Sequence, residues 1–311
     1  MAKVLIAGCG AIGSELAGVL SAQGHQVTGL KRKPPAVAPG CINYVAADIS
    51  SPADMEALAA DFTQAFFIVS PDGRNEQSYS AVYQSGLNNL LAKFPETPWI
   101  MVSSTSVYAQ SQGEWVDEDS IAQPGNITSR LIRLAEQKLT ALNPANIVVR
   151  FSGIYGPGRN YLLRQAMQTP GIQQTPPYFT NRIHQLDCVG VLSFLLEQRL
   201  TGKTLAQCYL ASDDNPAPMW EVMTWLADRL HCLPPSGISQ RDADFAGSKI
   251  SAHAVVPITP FPSSLAAGEE VRMNKRCSNA RLKALGYRFQ YPSYQDGYSE
   301  LIRSQKDHVD Q

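Results

Sequence analysis

The first residues that suggest chemistry are three glycines close to the N-terminus. Gly8, Gly10 and Gly13 follow a short apolar segment and precede a helical pattern. In such a strand–turn–helix unit the first glycine permits a tight turn, the second lets the backbone approach a pyrophosphate, and the third lets helix and strand pack closely. The free N–H groups of the helix N-terminus favour an anion. The spacing predicts a dinucleotide-binding turn, against the alternative of a glycine-rich loop without a ligand. Its expected contacts are Gly8, Gly10, Ala11, Ile12 and Gly13.

The residues after the second predicted strand bear on which dinucleotide is bound. A protein that reads NAD places an acidic residue about 20 positions after the glycine turn, whereas one that reads NADP places a basic group there. This sequence has no acidic residue between Glu15 and Asp48, but it has Lys31, Arg32 and Lys33. Because a guanidinium can hold a phosphate with two hydrogen bonds, Arg32 is the expected 2′-phosphate contact, with Lys31 or Lys33 in support. NADP(H) is therefore favoured and NAD(H) remains open, while a solvated basic turn is the alternative.

Length and charge narrow the possible partners. The chain has 311 residues, 44% of them hydrophobic, and a formal net charge of −1. A near-neutral chain without a long basic block is not expected to bind nucleic acid or an anionic membrane. We expect a small-molecule substrate. The oligomeric state is left open, with a homodimer as one candidate.

The expected location is the cytoplasm. Glu15 and the glycines interrupt the N-terminal apolar stretch, unlike a secretory signal, and no run reaches the roughly 18 apolar residues of a membrane span. The six cysteines are scattered without metal-ligand spacing. They are expected to be reduced thiols, and no metal site is predicted.

Strand-like and helix-like segments alternate along the first half of the chain. The clearest helical patterns cover residues 75–94 and 127–142, where apolar residues recur at three- and four-residue steps. Such alternation predicts an α/β fold with a parallel, doubly wound sheet, in which ligands bind at the carboxyl ends of the strands. After the first strand, the predicted strands span residues 26–30, 42–46, 65–69, 99–103 and 146–151.

The pattern changes after residue 151, where glycine and proline become frequent. We expect a nucleotide-binding domain over residues 1–156 that regains residues 183–212 through a helix at 189–199 and a strand at 206–211. A smaller substrate lobe would comprise residues 157–182 and 213–311, with a helix at 218–231. Residues 233–270 contain two proline clusters and show no helical or strand periodicity. This is expected of either a lid or a disordered insert.

Several motifs, in this order, resemble the NAD-dependent epimerase/dehydratase family, the extended and atypical short-chain dehydrogenases. Besides the glycine turn and Asp48, they are residues 102–108 (VSSTSVY), 153–159 (GIYGPGR), 182–187 (RIHQLD) and 274–282 (NKRCSNARL) with 285–287. The resemblance covers nearly the whole chain. It implies an N-terminal Rossmann domain, a C-terminal substrate lobe, and oxidoreduction or epimerisation of a nucleotide sugar or a similar hydroxy or carbonyl compound.

The resemblance also implies roles for single residues. Asp48 would lie at the adenine, and Ser70 and Ser103 beside the cofactor, although Asp48 and Ser70 could equally be ordinary loop caps. Tyr155 would order the loop near the nicotinamide. His184, with the aspartate three residues later, is expected to support a loop between the lobes rather than transfer a proton.

One departure from the family is informative. Members carry a YxxxK pair whose tyrosine transfers the hydroxyl proton while its lysine lowers the tyrosine pKa. Counting back from Glu136 places Thr128 at the tyrosine position and Ile132 at the lysine position. Neither residue supplies an acid or base near neutral pH. Arg130 and Arg133 lie on other faces of the helix and are not obvious substitutes.

Two catalytic candidates remain. Ser104 lies three residues before Val107, the spacing of the family's catalytic serine or threonine, with a loop-stabilising serine as the alternative. Tyr108 is the candidate replacement acid or base, with a packing tyrosine as the alternative. Two functions are left open. One is an NADP(H)-dependent oxidoreductase or epimerase of the atypical branch, which would use Ser104 and either Tyr108 or a bound water. The other is a catalytically weak NADP(H)-binding sensor or assembly protein.

Overall fold

A seven-stranded sheet organises the first part of the chain in the computed structural model, which describes residues 1–36, 41–58, 61–239, 242 and 272–309. Its order is β7-β6-β5-β4-β1-β2-β3, and the registered neighbours pair in parallel. The winding reverses between β1 and β4, which is where ligands bind in doubly wound sheets. The predicted α/β fold of Rossmann type is confirmed. The strands are β1 (Lys3–Ala7), β2 (Gln26–Lys31), β3 (Ile42–Ala46), β4 (Gln64–Phe67), β5 (Trp99–Ser104), β6 (Ile147–Phe151) and β7 (Cys208–Ala211).

The strand predictions agree with the structure to within about two residues. The predicted strand 42–46 coincides with β3, whereas β4 ends at Phe67 instead of continuing to residue 69. The central strand β1 is buried from Val4 to Ala7, as expected for a parallel strand covered on both faces. Apolar runs of this kind therefore located the sheet.

The helices that cover the sheet follow the predictions less evenly. They are α1 (Ala11–Ala22), α2 (Pro52–Glu56), α3 (Glu76–Ser80), α4 (Leu87–Lys93), α5 (Ile127–Leu142) and α7 (Gln185–Leu200). The prediction for α5 is confirmed, and the side chain of Asn126 caps its first turn by accepting from the Ser129 N–H. The single helix predicted over 75–94 is instead α3, a π-helical segment Ala81–Gly86 and α4. A Cβ at Gly86 would come within 2.5 Å of the Ile49 side chain, so this wide turn packs tightly.

The chain divides into two compact units. The first comprises Met1–Val107, Ile121–Phe151 and Cys188–Tyr209. The second comprises Tyr108–Ser120, Ser152–Asp187 and Leu210–Gln311, and its described helices are α6 (Tyr161–Ala166), α8 (Met219–Arg229), α9 (Ala280–Leu285) and α10 (Tyr294–Val309). Short strands accompany them at Glu114–Val116, Gly153–Tyr155, Gly171–Gln173, Phe179–Thr180, Arg182–His184, Ala217–Pro218, Ser236–Ile238 and Lys275–Cys277.

The core of the second unit is rich in tyrosine and methionine. Tyr155 and Tyr298 are buried at its centre together with Met219 and Met223 of α8. The segment predicted as a lid or insert lies largely outside the described residues, which omit 240–241 and 243–271. Among the helices that the structure describes, none is both long enough and apolar enough to span a bilayer.

Candidate nucleotide-binding and active site

The glycine turn connects β1 to α1 at the switch point of the sheet. Gly8 has a φ of +99°, and a Cβ on it would lie 2.6 Å from the carbonyl oxygen of Ile68, just after β4. A Cβ on Gly13 would overlap the carbonyl oxygen of Gly8. A side chain at either position would overlap backbone atoms of the protein itself. This explains the first and third glycines of the motif.

Gly10 differs from its neighbours because a Cβ on it would meet no heavy atom within 4 Å. It lies at the N-cap of α1 with no side-chain capping bond, so the first N–H groups of the helix are not satisfied by a capping side chain there. The protein atoms around position 10 would allow a side chain, yet the residue is glycine. This is the arrangement expected where a pyrophosphate approaches the backbone closely. The residues present thus fit a dinucleotide.

Arg32 follows the end of β2 and is engaged in an ion pair. Its Nη1 and Nη2 donate to the two carboxylate oxygens of Asp72, both at 2.6 Å. Sequence reasoning missed Asp72 because it lies 40 residues further along the chain, after β4. Lys31 is the last residue of β2, and its carbonyl accepts from the Ala47 N–H at 3.3 Å.

Asp48 acts as a local cap in the structure. Its carboxylate accepts from the N–H and the hydroxyl of Ser50, and these bonds lower its pKa. The Arg32 guanidinium lies close enough to act in the same direction. Ser70 is exposed and follows β4 by three residues. The predicted adenine and cofactor contacts of these two residues stay predictions.

Ser103 belongs to a buried charged network in the first unit. Its hydroxyl donates to Glu136 Oε1 at 2.5 Å, and Arg150 binds both oxygens of the same carboxylate at 2.9 and 2.7 Å. Arg133 donates to Glu136 Oε2 at 2.8 Å. Glu136 therefore joins β5 and β6 to α5, and only the lone pairs of the Ser103 hydroxyl remain for a cofactor contact.

The two positions of the missing acid–base pair have structural roles. Thr128 lies in the first turn of α5, where its hydroxyl donates to the Asn126 side chain at 2.9 Å. Ile132 is 5% exposed and belongs to the core. Ser104, at the end of β5, accepts from the Ser106 N–H at 3.1 Å, which leaves its own hydroxyl proton for a second partner.

Tyr108 is fully buried in the second unit, and its hydroxyl donates to the carbonyl of Asp117 at 2.6 Å. This geometry favours the packing role over the predicted acid–base role. The carbonyl of Tyr108 accepts from Lys275 Nζ at 2.8 Å, and burial lowers the pKa of this lysine to about 8. This lysine belongs to the 274–282 motif, but nothing in the sequence indicated that it would contact residue 108.

The motif around His184 organises the second unit. Tyr155 stacks on Tyr298 with ring centroids 4.5 Å apart, and its hydroxyl donates to the carbonyl of Ser293 at 3.4 Å. Asp187 accepts from two backbone N–H groups, at 2.7 and 2.9 Å, and from a tyrosine hydroxyl of the C-terminal segment. Burial lowers the pKa of His184, so its neutral form is favoured. These contacts agree with a supporting role.

A second buried polar centre was not predicted. The Arg182 side chain is held by the Thr180 hydroxyl at 2.7 Å, while its Nε and Nη1 find no well-aligned acceptor among the described residues. Asp213 Oδ2 likewise has no donor among them, and burial raises the pKa of Asp213 to about 8. Both residues are almost fully buried. Arg182 follows polar residues such as Asn181, so its burial could not be predicted from the sequence.

The sheet order and the glycine turn define a domain of Rossmann type. The model of the NAD dependent epimerase/dehydratase family matches residues 4–192, and the chain belongs to that family. It is 30% identical to protein YeeZ of Escherichia coli K12 over 214 residues, which are 63% of this chain and 74% of that one. It is 28% identical over 258 residues to a Streptomyces 3-diazoavenalumate denitrifying reductase, covering 75% of this chain and 83% of the relative.

Solved structures show the same fold. A candidate NAD-dependent epimerase/dehydratase from Methylobacillus flagellatus has a TM-score of 0.76 and 32% identity, covering 98% of this chain and 99% of that one. MoeE5 in complex with UDP-glucose and NAD has a TM-score of 0.73 at 18% identity, with 99% of each chain covered. Human SDR39U1 with NADPH has a TM-score of 0.70 at 19% identity, covering 97% and 99%. The last two show the fold alone.

Proposed function

We propose that this chain binds a nicotinamide dinucleotide at the turn between β1 and α1 and uses it to oxidise, reduce or epimerise a hydroxy or carbonyl compound, such as a nucleotide sugar. The observation that carries the proposal is Gly10, where the protein leaves open the space of a side chain at a helix N-terminus. The Streptomyces reductase and the dinucleotide-bound structures of the same fold support it. NADP(H) is the proposed cofactor through Arg32, and NAD(H) is kept as an alternative.

In this proposal Ser104 is the residue that contacts the reacting oxygen. A bound nicotinamide supplies or accepts the hydride. The Ser104 hydroxyl, which already accepts from the Ser106 N–H, is oriented with its proton free to donate to a substrate oxygen. Tyr108 is left out of this role because its hydroxyl is buried and bonded to Asp117.

The second candidate function is nucleotide sensing or assembly without efficient turnover. The specific observation in its favour is that Ile132 is a core residue and Thr128 bonds to Asn126, so the family's proton-transfer pair has no equivalent at these positions. A single serine does not replace a low-pKa tyrosine.

Turnover of NADPH and NADH with a panel of sugars and small carbonyl compounds separates the two functions. We expect Ser104→Ala to lower kcat about 10²-fold, the usual scale of a lost acid–base or polarising contact. Ser106→Ala is the matched control, because it keeps the backbone N–H that Ser104 accepts. Turnover that survives Ser104→Ala would move the active centre away from β5. Tight NADPH binding without any turnover would favour the sensor.

A further inference from the structure

Arg32, the residue proposed to bind the 2′-phosphate of NADP(H), forms an ion pair with Asp72. Each terminal nitrogen of the guanidinium donates one hydrogen bond, at 2.6 Å, to one carboxylate oxygen of Asp72. The pair is solvent-exposed, with side-chain exposures of 58% and 68%. Its geometry is the two-pronged arrangement that arginine also uses to hold a phosphate.

In the same end-on geometry, a 2′-phosphate would need the two N–H groups that Asp72 now takes. Binding through the two terminal nitrogens requires the phosphate to displace the carboxylate, and the displaced carboxylate then remains as a nearby like charge. The Asp48 carboxylate is a second anion within electrostatic range of the same guanidinium. A ribose 2′-hydroxyl, which carries no charge, meets neither obstacle.

We propose that Asp72 sets the cofactor preference by competing with the 2′-phosphate for Arg32. The protein then accepts NADH as well as NADPH, although the residues after β2 alone favour NADPH. This inference rests on the proposed function, since it assumes that a dinucleotide binds beside Arg32. It assigns a specificity role to a residue that follows β4, outside the glycine turn and the segment after β2.

The test is the ratio of the Kd values for NADH and NADPH, measured by fluorescence titration at low salt. Asp72→Asn keeps the shape of the side chain and removes its charge. We expect it to raise the ratio of the Kd for NADH to the Kd for NADPH about fivefold or more. Asp61→Asn is the matched control, because Asp61 forms a similarly exposed ion pair with Lys3 in the same unit. The control should leave the ratio unchanged.

A second background shows whether Asp72 acts through Arg32. In Arg32→Ala the substitution Asp72→Asn should shift the ratio clearly less, because the competition for the guanidinium is gone and only the repulsion between Asp72 and the phosphate remains. A ratio that Asp72→Asn leaves unchanged in the Arg32 protein, or shifts equally in Arg32→Ala, would overturn the inference alone. Failure of the unaltered protein to bind either nucleotide would overturn the proposed function, and the inference with it.

Discussion

Among single residues, Asp213 has the clearest expected pH effect. Its pKa is about 8 in the folded protein because burial penalises the charged carboxylate, against an ordinary value of 3.8. The folded state therefore holds the proton more tightly than the unfolded chain. The stability that this group contributes is present at low pH, is lost as the pH rises from about 4 to about 8, and changes no further above that.

Asp213→Asn removes this titration. The free energy of unfolding of the variant, relative to the unaltered protein, should therefore increase between pH 5 and pH 8, by up to about 4 kcal/mol. Urea unfolding at the two pH values measures the difference. Asp228→Asn, an exposed aspartate on α8 of the same unit, is the control for a general charge effect. A relative stability of Asp213→Asn that is the same at both pH values would show that the carboxyl ionises normally.

Between elements, Glu136 is the residue that joins α5 to two strands of the sheet. Its carboxylate, 1% exposed, is bound by Ser103 of β5, Arg150 of β6 and Arg133 of α5. Glu136→Ala would leave the buried Arg150 guanidinium without its carboxylate, and such losses cost about 3–5 kcal/mol. Thermal or urea unfolding should show this, whereas Asp61→Asn should change little. Equal free energies of unfolding for the two variants would show that the Glu136 network does not stabilise the fold.

The same elements show how far the sequence could predict the structure. The strands were predictable because they are short apolar runs, and α5 was predictable because its apolar residues recur at three- and four-residue steps. The π-helical segment was not, because a wide turn leaves the helical pattern almost unchanged and depends on packing of Gly86 against Ile49. Asp72 was not predictable as a partner of Arg32, because the sheet alone brings the ends of β2 and β4 near the same turn.

The catalytic residues show a similar limit. The absence of a tyrosine and a lysine at positions 128 and 132 was readable from spacing. The burial of Tyr108 against Asp117 could not be predicted, because the sequence does not show whether the hydroxyl of a loop tyrosine is exposed or hydrogen-bonded. Ser104 retains its predicted role as a proposal because its one described bond uses a lone pair and not the proton.

At the scale of the whole molecule, the two units differ in their interiors. Buried polar atoms without hydrogen-bond partners among the described residues lie mainly in the second unit, and include atoms of Ser152, Asn160, Gln165, Arg182, Asp213 and Arg272. Buried polar groups in native proteins usually find a hydrogen-bonding partner. These described polar atoms of the second unit thus lack the side-chain partners that the Glu136 network provides in the first unit.

The central claim is that the turn between β1 and α1 binds a nicotinamide dinucleotide. Titration of NADPH and NADH against the unaltered protein, Gly10→Val and Gly18→Val tests it most directly. A Cβ at either glycine would meet no heavy atom within 4 Å, so we expect both variants to fold, but only position 10 lies at the helix N-terminus. We expect Gly10→Val to abolish nucleotide binding and Gly18→Val to retain it. Retained binding in a folded Gly10→Val would contradict the claim and make the turn purely structural.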